Sequence, residues 1–172
     1  LDNVDVAAAT EKAIIVTSNL GVNTVSVTEH VLALMLSLSK KLQVMDRAVR
    51  RGDFRIRYQN LPRDLHGKIL GLLGFGRIGS EIGRVCHQVF DMQVIASDPY
   101  LPDKIKESYK GWIKFVALKE QFSQADFISI HVPLTDETRH LGGASETRMM
   151  KNDAILINTS RGEVVDELAL LQ

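Results

Sequence analysis

The 172-residue sequence has one cysteine, no net charge and no long apolar run. Cys86 has no second cysteine to pair with, which excludes an internal disulfide and suits a reducing cytoplasm. Lysine and arginine total 21, as do aspartate and glutamate, so no overall electric field attracts nucleic acid or an anionic membrane. The longest apolar stretch, residues 31–38, is far shorter than the roughly 20 residues that a membrane span needs. We therefore predict a cytoplasmic protein that has neither nucleic acid nor a membrane as a partner.

The sequence also has no internal repeat and no low-complexity linker. With 45% apolar and 24% charged residues, it has the composition of a globular chain with room for one domain and its core, but not for a second full domain. The scattered histidines His66, His87 and His140 belong to no ligand motif, so we predict no metal site.

The first third of the sequence predicts a short strand and then one long helix. Residues 14–16 are β-branched and lead into a polar loop, as at the end of a strand. Ser26 and Glu29 have the spacing of a capping box. Apolar residues then recur at helical intervals, at Val27, Val31, Leu34, Leu38, Leu42, Met45 and Val49. We expect a single helix that ends near residues 51–52 and packs on more than one side.

From Gly67 onward, short apolar runs alternate with helical stretches. The predicted strands are residues 69–73, 93–97, 114–116, 127–131 and 154–158. The predicted helices are residues 77–90, 102–109, 118–123 and 145–149, with a last helix that starts near residue 166. Strict alternation of strand and helix favours parallel strands joined by crossovers. The predicted fold class is therefore α/β, a doubly wound parallel (Rossmann) sheet with helices on both faces.

A glycine motif lies between the first of these strands and the helix after it. It consists of residues 74–79, with glycine at positions 74, 76 and 79, and Asp98 follows 19 positions after the last glycine, at the end of the next strand. Glycines at this spacing occur by chance in many chains, and the simple alternative is a tight turn with a surface aspartate. The strand before the motif, the helix after it and the acidic residue together favour a dinucleotide site.

Each residue of the motif has a physical task in such a site. Gly74 permits the tight turn, Gly76 lets the backbone approach a pyrophosphate, and Gly79 lets the helix pack closely. The amides of Arg77 and Ile78 would face the phosphates at the positive end of the helix. The carboxylate of Asp98 would accept hydrogen bonds from the ribose hydroxyls and repel the 2′-phosphate of NADP, so we predict NAD as the cofactor.

The chain resembles the D-isomer-specific 2-hydroxyacid dehydrogenases, a family that includes phosphoglycerate dehydrogenase, glyoxylate reductase and D-lactate dehydrogenase. Besides the glycine motif, several blocks in the right order carry the resemblance. They are Asp2-Asn3-Val4-Asp5, Ser26-Val27-Thr28-Glu29-His30, His131-Val132-Pro133-Leu134-Thr135 with Glu137-Thr138, and Asn158-Thr159-Ser160-Arg161-Gly162-Glu163 before Val165-Asp166-Glu167.

The resemblance implies roles for the matching residues. Arg161 would be the catalytic arginine that holds the substrate carboxylate and polarises the carbonyl group, a task that suits the planar guanidinium. Thr159 and Ser160 would lie near the nicotinamide, and residues 132–133, Val132 and Pro133, would line the cofactor cleft. His131 stands at a strand end, where a general base could act, but the resemblance implies a structural role for it.

The resemblance also implies a domain organisation. Residues 1–24 would be the tail of a substrate domain, and residues 25–172 an NAD-binding domain whose last part is missing. The family's acid–base histidine and its glutamate partner would lie beyond Gln172, so we expect this chain alone to lack dehydrogenase activity. Family members usually form dimers through the nucleotide domain, and the apolar face of the predicted helix at residues 26–50 suits a homodimer.

The function implied is an NAD-dependent oxidoreductase that interconverts a small D-2-hydroxy acid and its 2-oxo acid by hydride transfer. An alternative is a corepressor-like regulatory protein of the same family, in which NAD is a conformational ligand. A hydrolase of the adenosylhomocysteine type is a weaker alternative, because residues 158–162 argue against it. The sequence does not exclude a formate or phosphonate dehydrogenase. It does not identify the substrate either, because residues 20–23 would form only one wall of the substrate site.

Overall fold

A computed structural model describes residues 4–19 and 21–171, so the parts of the predicted motifs at Asp2, Asn3 and Leu20 lie outside the described residues. Five parallel strands form one sheet in the order β3-β2-β1-β4-β5. The strands are β1 (Ile69–Leu73), β2 (Gln93–Ser97), β3 (Ile113–Phe115), β4 (Phe127–Ile130) and β5 (Ile155–Asn158).

Four helices precede β1, and one helix lies between each pair of consecutive strands in the described residues. They are α1 (Val6–Glu11), α2 (Thr24–Ser39), α3 (Leu42–Arg50), α4 (Ile56–Gln59), α5 (Arg77–Phe90), α6 (Asp103–Tyr109), α7 (Leu118–Gln124) and α8 (Ala144–Thr147). Single 3₁₀ turns follow at Gly162–Val164 and Ala169–Leu171. Among the described residues, no helix is both long and apolar enough to cross a bilayer.

The sheet separates two apolar cores, which is why its central strands are apolar on both faces. Leu70 and Leu72 of β1 join the larger core beneath α2 and α5. Leu73 of β1 and Ile128 of β4 join the second core, beside Phe122 of α7. The prediction of a doubly wound parallel sheet with helices on both faces is confirmed, and β1, β2 and α5 have the predicted bounds.

The single long helix predicted near residues 26–51 is wrong, because the chain breaks it into α2 and α3. Lys41 lies between the two helices with φ +52°, a left-handed conformation that ends a helix. Its ammonium group donates to the side chain of Asn60, and that of Lys40 pairs with Asp64. The predicted capping box is wrong as well, since Asn23 precedes the first helical residue and Ser26 lies inside the first turn.

The strand predicted at residues 14–16 is also absent from the structure. A strand needs a neighbouring strand for its backbone N–H and C=O groups, and no described strand pairs with residues 14–16. The N–H of Ile14 donates instead to the carbonyl oxygen of Ala9 at 2.8 Å. Ile15 is 87% exposed. Near the other end of the chain, Asp166 accepts the N–H groups of Leu168 and Ala169, as a capping residue does, but the described residues there form a 3₁₀ turn in place of the predicted α-helix.

One polar side chain lies inside the second core. Gln121 of α7 is completely buried against Gly71 of β1, where an added Cβ would lie 2.8 Å from Gln121 Cγ. Neither its amide nitrogen nor its amide oxygen has a hydrogen-bond partner among the described residues. An unsatisfied buried polar group costs about 1–3 kcal/mol.

We expect the substitution Gln121→Met to raise the free energy of unfolding by about 1–2 kcal/mol, because methionine keeps the volume and removes the unsatisfied amide. Urea unfolding measures this change. Gln124→Met is the matched control, since Gln124 lies on the same helix and donates to Glu120 at 3.1 Å; it should bring no gain. A less stable Gln121→Met protein would show that the amide has a partner after all.

Candidate functional site

A cleft of about 1380 Å³ lies at the carboxyl edge of the sheet. β1 is flanked by β2 on one side and by β4 on the other. The connection after β1 leads to α5, on the face of the larger core, whereas the connection after β4 leads to α8, which contacts α7 on the face of the second core. Open parallel sheets bind ligands in the crevice at such a point. The loops after four strands line the cleft, with Gly74, Gly76, Asp98, Val116, Val132 and Pro133 among their residues.

The three motif glycines meet three different geometric demands. Gly74 has φ +86°, and a Cβ there would lie 2.9 Å from the carbonyl oxygen of His131 at the end of β4. A Cβ on Gly79 would lie 2.3 Å from the carbonyl oxygen of Gly74. Apart from its chain neighbours, no described residue has an atom within 4 Å of a Cβ built on Gly76. The first and third glycines therefore allow close packing, whereas the second keeps space open beside the cleft.

The N-terminus of α5 faces this open space. Gly76 is the residue that precedes the helix and makes no side-chain cap, so the first-turn amides, which have no acceptor within the helix, point outward. Arg77 and Ile78 supply two of these amides. The end of a 14-residue helix with exposed N–H groups favours an anion. The exposed side chain of Arg77 lies beside Gly21, whose added Cβ would be 3.6 Å from Arg77 Cδ.

Asp98 connects the glycine turn to the end of β2. Its Oδ2 accepts the N–H of Phe75 at 2.9 Å, and its Oδ1 accepts the N–H of Tyr100 at 3.0 Å. An ionised carboxylate has about four lone-pair sites, so two backbone bonds still leave acceptors for the hydroxyls of a ribose. The half-buried carboxylate thus combines a structural bond with a position on the cleft surface.

Negative charge surrounds the mouth of the cleft. Glu120, Asp136 and Glu137 line it together with Asp98, and Lys106 is the only lysine or arginine among its described lining residues. Glu120 pairs with Lys114 at 2.7 Å, and this contact lowers the pKa of its carboxyl group. These carboxylates therefore disfavour a ligand that places an additional phosphate group near Asp98.

Phe75, between the first two motif glycines, holds the turn in the core. Its buried ring meets the rings of Tyr109 and Phe115 edge-on, with centroids 5.0 and 5.3 Å away, and lies 6.4 Å from that of Trp112. Sequence inspection did not assign Phe75 a role, because the three partner rings lie 34 to 40 positions further along the chain, after β2 and around β3.

His131 is held at the end of β4. Its Nε2 lies 2.7 Å from the hydroxyl oxygen of Ser129, and its backbone N–H donates to Leu73 at 2.7 Å. Burial lowers the pKa of the imidazole to about 4. A base with so low a pKa takes up a proton poorly near neutral pH, which supports the structural role expected for His131.

The segment after β5 leaves the sheet beside the segment after β4, because Ile130 and Asn158 are partners in the register. The side chain of Asn158 shapes this turn. Its amide donates to the carbonyl oxygen of Arg161 at 2.7 Å, and its Oδ1 accepts from the N–H of Ser160 at 3.0 Å and from the hydroxyl at 2.8 Å. This turn places Arg161 at the carboxyl edge of the sheet.

The structure divides the predicted site residues into groups. Five of them line the cleft, namely Gly74, Gly76, Asp98, Val132 and Pro133. Arg77, Ile78 and Gly79 begin α5 beside it. Ser160 and Arg161 line a separate recess of about 280 Å³ after β5, together with Glu167. Thr159 lines neither, and its hydroxyl is buried without a hydrogen-bond partner among the described residues.

Several cleft residues were not assigned a role from the sequence. They are Tyr100, Lys106, Val116, Thr135, Asp136, Glu137 and Thr138. What they share in the sequence is position, because all but Lys106 lie within eight residues after the carboxyl end of a strand, where ligands of parallel sheets bind.

Comparisons with known proteins agree with this geometry. The sequence profile described as D-isomer specific 2-hydroxyacid dehydrogenase, NAD binding domain, matches residues 32–172. A D-3-phosphoglycerate dehydrogenase of Methanocaldococcus jannaschii is 39% identical over 100% of this chain and 32% of its own length. A glyoxylate reductase of Korarchaeum cryptofilum is 37% identical over 98% of this chain and 51% of its own length.

A solved structure shows the same similarity in three dimensions. The crystal structure of a D-lactate dehydrogenase from Aquifex aeolicus, complexed with NAD and lactic acid, has a TM-score of 0.88 and 35% identity to this chain. The match covers 99% of this chain and 50% of that one. The chain thus spans about a third to a half of the length of these relatives.

The profile match includes the whole sheet and the glycine turn. The predictions of a Rossmann sheet and of NAD as the cofactor are confirmed. The chain belongs to the D-isomer specific 2-hydroxyacid dehydrogenase family, and residues 32–172 match the NAD-binding domain of that family.

Proposed function

We propose that the complete protein interconverts a small 2-oxo acid and its D-2-hydroxy acid by hydride transfer with NAD. One observation carries this proposal: Arg161 follows β5 at the carboxyl edge of the sheet, and β5 is the neighbour of β4, whose end lines the cofactor cleft. The relatives described above fit it, since phosphoglycerate, glyoxylate and lactic acid are all small carboxylic acids with oxygen on carbon 2.

The residues around the cleft fit a dinucleotide. The space beside Gly76 accommodates the pyrophosphate, the amides of Arg77 and Ile78 bind it, and Asp98 binds the adenosine ribose. Val132 and Pro133 form the apolar wall after β4. Thr159 and Ser160 lie toward the nicotinamide, and the unpartnered hydroxyl of Thr159 is a donor that a nearby carboxamide can use.

In this proposal Arg161 binds and orients the acid. Its guanidinium holds the carboxylate by parallel N–H···O bonds and polarises the neighbouring carbonyl oxygen. When bound, NAD supplies the ring carbon that gives up or accepts the hydride. We do not assign the accompanying proton transfer to His131, because its pKa near 4 leaves it a weak base.

A panel of 2-oxo acids tests the proposed activity on the complete protein. Pyruvate, glyoxylate, hydroxypyruvate and its phosphate ester are each mixed with NADH, and NADH oxidation is followed by absorbance. Turnover with at least one acid supports an oxidoreductase. NADH binding without turnover on the whole panel contradicts it and favours the regulatory alternative, in which the cofactor acts as a conformational ligand.

Replacing Asp98 by asparagine tests its part in cofactor choice. We expect the preference for NADH over NADPH to fall about 10- to 100-fold, because the repulsion between a carboxylate and a 2′-phosphate is lost. Asparagine keeps one acceptor oxygen, so one of the two backbone bonds remains and the other is lost. Titration of both cofactors by fluorescence measures the ratio, and Asp46→Asn, in an exposed ion pair on α3, is the control. An unchanged ratio contradicts this role.

We also propose that the protein pairs as a homodimer and that residues 1–24 belong to a substrate domain. Exposed apolar side chains support both proposals. Those on α2 and α3 are Val25, Leu38, Leu42, Val44 and Val49, and those of the preceding segment are Ile14, Ile15 and Val22. Analytical ultracentrifugation of the complete protein tests the dimer, which a monomeric mass contradicts. A crystal structure of it tests the domain boundary.

A further inference from the structure

One hydrogen bond connects opposite walls of the cofactor cleft. The hydroxyl of Tyr100, three residues after β2, donates to the carboxylate of Glu137, in the loop after β4. β2 and β4 flank β1 in the sheet, so a contact between their loops passes over the end of β1, where the glycine turn lies. Both side chains line the cleft.

Further hydrogen bonds fix the backbone at each end of this contact. On one wall, the N–H of Tyr100 donates to Asp98, which also accepts the N–H of Phe75 in the glycine turn. On the other wall, Thr135 and Thr138 on either side of Glu137 bond to each other. The N–H of Thr135 donates to the Thr138 hydroxyl at 2.8 Å, and that hydroxyl donates to the carbonyl oxygen of Pro133 at 2.6 Å.

The two side chains are therefore the movable part between two fixed walls. Tyr100 is 72% exposed, so rotation of its side chain into solvent opens the contact without disturbing the core. Asp98, the residue expected at the adenosine ribose, is only two positions away. A dinucleotide in the cleft has its adenosine half next to this contact, whereas the segment with Arg161 lies beyond β4, on the far side of the cleft.

We propose that Tyr100 and Glu137 are positioning residues that retain the adenosine half of NAD in the cleft. Their hydrogen bond closes behind the bound dinucleotide and slows its release. It forms no part of the hydride-transfer chemistry. The inference rests on cofactor binding alone, so it holds whichever acid the complete protein uses.

Stopped-flow fluorescence of NADH with the complete protein tests this inference. The substitution Tyr100→Phe keeps the ring and removes the donor, and we expect the NADH dissociation rate to rise about 5- to 30-fold with little change in the association rate, as suits a partly exposed, charge-assisted bond. Glu137→Gln, which keeps an acceptor and loses the charge, should shift the dissociation rate in the same direction. Tyr58→Phe is the matched control, since Tyr58 is 71% exposed on α4.

The double variant separates a direct pair from two independent effects. If the two residues act through one bond, Tyr100→Phe with Glu137→Gln releases NADH no faster than the stronger single variant. Multiplied effects, or a Tyr100→Phe dissociation rate within twofold of the wild-type value, overturn the proposal. A rise in the association rate alone also overturns it, because the contact would then obstruct entry and not retain the cofactor.

Discussion

Replacing Gly79 by alanine is expected to lower the free energy of unfolding by more than about 3 kcal/mol and to abolish NADH binding. The new Cβ would lie 2.3 Å from the carbonyl oxygen of Gly74. Because that atom belongs to the backbone, no side-chain rotation relieves the clash, and α5 must move away from the turn. Urea unfolding and an NADH titration measure the two effects.

The neighbouring substitution Gly76→Ala should behave differently. Among the described residues, only its chain neighbours have atoms within 4 Å of its Cβ, and Gly76 has φ −81°. We therefore expect the free energy of unfolding to change by less than about 0.5 kcal/mol. NADH affinity should nevertheless fall at least about tenfold, since the methyl group enters the space for the pyrophosphate. Gly111→Ala, also without close neighbours, is the control for both measurements. Normal NADH affinity in Gly76→Ala would place the phosphates elsewhere.

Replacing Arg161 by glutamine in the complete protein is expected to lower kcat/KM for the 2-oxo acid about 10²- to 10⁴-fold, the loss expected from two charge-assisted hydrogen bonds. The affinity for NADH should stay within about twofold of the wild-type value, because Arg161 lies outside the cofactor cleft. Steady-state kinetics and the NADH titration together separate the two steps.

Two further variants make the Arg161 result specific. Arg161→Lys keeps the charge but cannot form two parallel bonds, so it should recover only a small part of the lost activity. Arg55→Gln removes an exposed arginine that lines neither the cofactor cleft nor the recess after β5 and should change neither quantity. If Arg161→Gln retains more than about a tenth of wild-type kcat/KM, the carboxylate is held by another residue.

The elements around the cofactor were the part most completely predictable from sequence. β1, α5 and β2 have strong local signals, because an apolar strand, a glycine turn and an amphipathic helix follow one another without interruption. Asp98 could be proposed from the sequence because it follows the last glycine of the motif by 19 positions and comes at the end of the next strand. Local pattern and tertiary structure agree over this whole segment.

Predictions failed where tertiary contacts override the local pattern. Apolar spacing continues across residues 40–41, yet the side chains of Lys40 and Lys41 bond to Asp64 and Asn60, and the helix breaks there. Residues 14–16 have strand-forming side chains but no neighbouring strand among the described residues. The contact between Tyr100 and Glu137 joins two loops that are 37 positions apart in the sequence, so no local motif could predict it.

The close approach of Gly74 to His131 has a consequence for the order in which the protein matures. β1 pairs with β4 across a sequence separation of 57 residues, and the backbone of His131 forms the wall against which the glycine turn rests. A chain synthesised only as far as β2 contains the glycine motif but not the wall against which it rests. The nascent chain therefore acquires its nucleotide site late, after β4 has inserted beside β1, and contacts between such distant segments form slowly.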